Sequence, residues 1–169
     1  MYFKTRIKVI EMSKVLYAFT TDNSFFENSF NSLDKKNIID RTIIKRELTF
    51  LIIITIDYLL RSKKLQKIYR EKANQLMLNY LGHFKNDTNK IGTCDVFIQL
   101  LEARGSLYNQ FIETDTPSSA THFPFKIAEK IANYCGVEND PLFIMKIIKF
   151  WDVNFKTLEN MFDKFKLVD

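Results

Sequence analysis

Apolar positions recur along most of this chain with a helical period, and the longest apolar run is Leu48–Leu60 (LTFLIIITIDYLL). Ten of its 13 residues are apolar and Asp57 carries its only charge. A helix that is apolar nearly all round belongs in the interior, packed on every side. It is also too short to cross a membrane, which takes about 20 apolar residues. The pattern predicts a central helix over 41–62 with Asp40 as its N-cap.

A second helix is predicted over 65–81, placing Leu65, Ile68, Tyr69, Ala73, Leu76, Met77 and Tyr80 on one face and stopping at Gly82. The third, over 93–112, carries Phe97, Leu100, Leu101, Tyr108 and Phe111 at helical spacing. A short fourth helix opens at Phe123-Pro124 and ends at Gly136. The last is capped by Asp140, has Pro141 at its first position and runs to about Phe165. Its apolar residues, from Ile144 through Trp151 to Phe162, fall within a stripe about 100° wide, suited to a globular core.

The ends and connections are less regular. Ile7, Val9 and Val15–Phe19 fit either a helix or a short strand. Residues 21–39 read as a polar connection with an aromatic cluster, Phe25, Phe26 and Phe30, and 113–122 as a loop. The expected fold is all-α: a single-domain bundle of five or six helices around the central helix at 41–62, with residues 1–39 a less regular N-terminal segment packed on it.

Composition sharpens this. Four glycines and three prolines in 169 residues supply too few turns for an all-β or α/β fold. Hydrophobic residues at 46% with 27% charged exclude a disordered chain. The net charge of +5 is uneven: residues 1–72 hold 15 Lys and Arg against 8 acids. Arg61, Lys63, Lys64, Lys67, Arg70 and Lys72 form a dense basic patch, read either as a contact for phosphate, an anionic membrane surface or an acidic protein, or as a solvated helix face. Cys94 and Cys135 are too few and too far apart for a disulfide framework or a metal motif, and no cofactor is expected. With no apolar run of signal-peptide length at the start, the expectation is a cytoplasmic protein without a membrane span.

Ile131–Met145 resembles the helix-turn-helix DNA-binding motif. Ala132, Gly136, Val137, Leu142 and Met145 hold its small, turn and apolar positions, with Ile131 and Cys135 in support. The resemblance implies that Glu138, Asn139, Asp140, Phe143, Ile144 and Ile147 face the DNA groove. Those residue types are wrong for the task, because base edges are read by Arg, Lys, Asn or Gln and phosphates repel acids. His83, Cys94, His122 and Cys135 show no ligand spacing, so no metal site is expected.

Two charges fall on core faces. Asp57 lies midway along the central helix, with Glu47 at the start of the same broad face. Arg104 sits in the apolar stripe of the third helix. An unpaired buried charge is very costly, so Arg104 is predicted to pair with Asp57, with Glu47 as the alternative acceptor. These three residues serve either as a structural ion pair, with a local Asp57–Arg61 pair one turn apart as the other bland reading, or as the polar anchor of a ligand pocket. The aromatic residues, 14% of the chain, serve as core or line a cavity or an interface.

No acid/base pair or nucleophile is recognisable. The function expected by elimination is a non-enzymatic helical adaptor or regulatory module acting through a protein partner or homo-oligomer. The alternatives are weak nucleic-acid association through the basic N-terminal half and a bundle holding a small apolar ligand.

Overall fold

A computed structural model describes residues 4–22, 27, 40–62, 65–90, 92–114, 122–138 and 140–168. Together they form β1 (Thr5–Lys8), α1 (Val9–Thr21), α2 (Arg41–Arg61), α3 (Lys67–Glu71), α4 (Ala73–Lys90), α5 (Cys94–Thr114), α6 (His122–Tyr134), α7 (Pro141–Lys164) and β2 (Phe165–Val168). The class is all-α, as predicted, with seven helices among the described residues. The count exceeds five or six because the N-terminal segment is itself helical and the second predicted helix divides at Lys72. The aromatic cluster Phe25, Phe26 and Phe30 lies outside the described residues, as does most of the predicted 113–122 loop.

Local chemistry accounts for the helix ends. Asp40 caps α2 by accepting the Thr42 N–H at 2.8 Å. Asp140 caps α7 by accepting the N–H groups of Leu142 and Phe143 at 3.0 and 3.1 Å. At the end of α6, Gly136 adopts φ +71°; its N–H bonds the Asn133 carbonyl and the Val137 N–H bonds the Ala132 carbonyl. That is a Schellman turn, closed by the glycine the sequence pointed to.

The predicted stop at Gly82 is corrected. The helix runs on to Lys90 and closes with the same kind of turn at Gly92, φ +71°. Phe84 explains the extension: it is buried, edge-on to Tyr17 and Tyr80 and stacked on Phe97 at 5.6 Å. Tertiary packing overrides the weak helix preference of one glycine.

Contacts cluster in two units, and α2, α5 and α7 each contribute residues to both. The first comprises Met1–Thr21, Ile53–Leu100 and Phe155–Asp169. In it β1 and β2, from opposite ends of the chain, pair in parallel with Ile7 opposite Leu167, both buried. α1 packs on α4, burying Met12, Leu16, Leu76 and Tyr80. The Tyr80 hydroxyl meets that of Thr20 at 2.7 Å.

The second unit comprises Asp22–Ile52 and Leu101–Asn154. Its core is Ile44, Leu48 and Phe50 from α2, Ile127 and Ile131 from α6, and Phe143, Ile147 and Phe150 from α7. Burying each such side chain contributes roughly 1.5–3 kcal/mol.

Candidate interaction face and buried ion pair

Glu47 lies where α2 turns from its polar start to its apolar run, and its side chain is 0% exposed. Arg104 on α5 is 12% exposed and grips it with two bonds, Nε to Oε2 at 2.7 Å and Nη2 to Oε1 at 3.1 Å. Arg46 adds a third at 3.2 Å from the solvent side. The Arg104 guanidinium also lies 3.5 Å over the Tyr134 ring, so both its edge and its face are occupied. Burial opposes the charge on Arg104, but its bonds and attraction to Glu47 outweigh that and raise its pKa.

The predicted Asp57–Arg104 pair is therefore replaced by the alternative, Glu47–Arg104. Asp57 reaches the edge of α2, 28% exposed, where Arg61 one turn on holds both its oxygens at about 3.0 Å. The acid buried outright is Glu47. Around the pair, burial and then the Glu47 charge push the Cys135 thiol up to about 12. The same two causes raise Tyr108, whose buried hydroxyl has no hydrogen-bond partner among the described residues.

Two of the four described residues of the basic patch are paired locally. Arg61 is held by Asp57, and Lys67 meets Glu71 at 3.4 Å. Arg70 is exposed and Lys72 partly buried; Lys63 and Lys64 lie outside the described residues.

One constellation escaped sequence reasoning. On α1 and α4, Ser13 Oγ lies 3.3 Å from His83 Nε2, and the Tyr17 hydroxyl donates to Asp87, one helical turn beyond His83. It resembles an activated serine but runs the wrong way. Ser13 donates to the Ile10 carbonyl at 2.7 Å, an arrangement in which His83 donates to Ser13 and does not take its proton. Burial, then the Asp87 bond and charge, raises Tyr17 to about 12. No local sequence signal marks this cluster, whose partners lie 70 residues apart.

The α6–turn–α7 segment settles the helix-turn-helix resemblance. The turn matches, but the second helix is rotated. Leu142 and Met145, which the motif would bury, are 74% and 60% exposed. Phe143, Ile144 and Ile147, which it would turn toward DNA, are buried. Asn139 lies outside the described residues. The outer edge of α7 thus presents two large apolar side chains one turn apart, followed by exposed Lys149 and Val153.

Within the same unit, Leu51, Pro124, Ile127, Ile147 and Trp151 line an apolar crevice of about 180 Å³, none of it wide enough for a water molecule. Among the described residues, no three His, Cys, Asp or Glu side chains group as metal ligands, and no helix is long and apolar enough to cross a membrane. Comparison with protein-family models, with curated proteins and with solved structures found no match.

Proposed function

We propose that this chain is a non-enzymatic cytoplasmic helical module that works through a protein partner or self-association. The observation that carries the reading is the outer edge of α7, where Leu142 and Met145 remain exposed on a helix whose other face is core. Adjacent exposed large apolar residues mark contact surfaces more often than isolated ones do. Several groups with chemical potential are engaged in structure: Arg104 on Glu47, Ser13 on a carbonyl, and the Cys135 thiol held protonated at neutral pH.

The alternatives draw less support. A nucleic-acid contact would rest on a patch in which Arg61 and Lys67 already face acids. An apolar ligand would have to open the crevice beside Leu51 and Trp151, and Arg104 is held by Glu47.

A photo-crosslinking amino acid at position 142, in cells expressing the full chain, tests the reading. The expected result is a discrete adduct, either with one other protein or with a second copy, that disappears on Met145→Glu. Adducts no more abundant than those from a probe at exposed Lys85 would refute it.

A further inference from the structure

Resting on that reading, we infer that the occupant of the α7 face is a second copy of this chain, docked antiparallel about a two-fold axis between Leu142 and Met145. The charge order along the segment carries the inference. The turn before α7 is acidic, with exposed Glu138 and the cap Asp140; the apolar pair Leu142 and Met145 follows; then come Lys146 and exposed Lys149. Acid, apolar and base thus appear in linear order, a pattern complementary to its own reverse.

Positions facing across such an axis have numbers that add to the same total. Along α7, Leu142 of each copy lies over Met145 of the other, and Glu138, in the turn that leads into α7, comes toward Lys149 of the other, so each contact is made twice. A parallel arrangement would bring acid to acid and lysine to lysine, which fixes the orientation. The positions are reachable: Leu142, Met145 and Lys149 recur at the three- and four-residue spacing of one helix face. Two apolar side chains per copy are a small anchor beside the ~800 Å² a side of a standard stable interface, so the association is weak and concentration-dependent.

The test is sedimentation equilibrium of the full chain up to millimolar concentration, with the helical signal of each variant checked by circular dichroism. The wild type should show a reversible monomer–dimer equilibrium that Leu142→Glu abolishes. Glu138→Lys or Lys149→Glu alone should weaken it about tenfold, since two surface charge pairs are lost at once. The double variant Glu138→Lys with Lys149→Glu should return to within about threefold of wild type. A monomer at every concentration overturns the inference, as do single reversals without effect or a double variant as weak as the singles. A monomeric chain whose position-142 probe still joins one other protein overturns the second copy while the proposed function survives. A monomeric chain without adducts refutes both.

Discussion

At the scale of single residues, Glu47 and Arg104 are the most constrained pair in the described chain. Glu47 is buried outright and Arg104 is 12% exposed, and each satisfies the charge of the other. Arg104→Met leaves the Glu47 carboxylate with Arg46 alone and should lower stability by about 3–5 kcal/mol in urea unfolding. Combining it with Glu47→Leu should recover most of the loss, because no charge is then stranded; a single variant as stable as wild type would place the pair in water. The position of Arg104 in an apolar stripe was legible, and so was its need for an acid. Its choice of acid was legible only as the alternative, Glu47, as was the local pair that takes Asp57: Arg61 lies four residues on from Asp57, whereas Glu47 has Leu51 there. The thiols give a second prediction at this scale. Cys94 is half-buried, while buried Cys135 is raised to about 12. Three pH units above its ordinary value of 9.0, its thiolate is about a thousandfold scarcer. Iodoacetamide at pH 8 should therefore modify Cys94 first, with Cys135 reacting only on unfolding, as read by peptide mass spectrometry.

At the scale of elements, two glycines that look alike in the sequence behave in opposite ways. Gly82 lies inside α4 at an ordinary helical φ, and a Cβ there would meet nothing within 4 Å. Gly82→Ala should therefore stabilise the fold by about 0.5–1 kcal/mol, through helix propensity and a less free unfolded chain. Gly136 has equal space around it but holds φ +71°, a conformation costly for any residue with a Cβ. Gly136→Ala should destabilise by about 1–2 kcal/mol. Thermal unfolding of the two variants separates them by sign, and a loss in both would mean that α4 does end at Gly82. The long helices were legible because caps and apolar spacing agree: α2 and α7 each begin within a residue of the predicted start, with Asp40 and Asp140 as their caps. The two strands were less so: a short strand was one of two readings at Ile7, and nothing marked β2. Each is four residues long, and they pair from opposite ends of the chain, a relation that no local pattern encodes.

At the scale of the whole molecule, the helical class was legible and a function was not, because nothing in the spacing of polar residues builds a site before the chain is folded. What the fold adds is a set of acidic protons that the folded chain holds more tightly. Cys135 is raised from 9.0 to about 12 and Tyr17 from 10.0 to about 12, in both cases first by burial. Burial also raises Tyr69, Tyr80 and Tyr108. A thiol or phenol with a higher pKa when folded keeps its proton longer in the folded than in the unfolded chain. Its stabilising contribution is complete below the unfolded value and is lost as pH climbs through the folded one, because the unfolded state then binds fewer protons. Stability should accordingly hold to about pH 8 and fall steadily between about 9 and 12, as measured by the urea midpoint at each pH. Cys135→Ala should delay the onset from about 9 to about 10, where the tyrosines begin to contribute. A midpoint unchanged up to pH 12, or one that rises, would mean that these groups are solvated in the folded chain and that its core is looser than the burial of Tyr80 and Tyr108 requires.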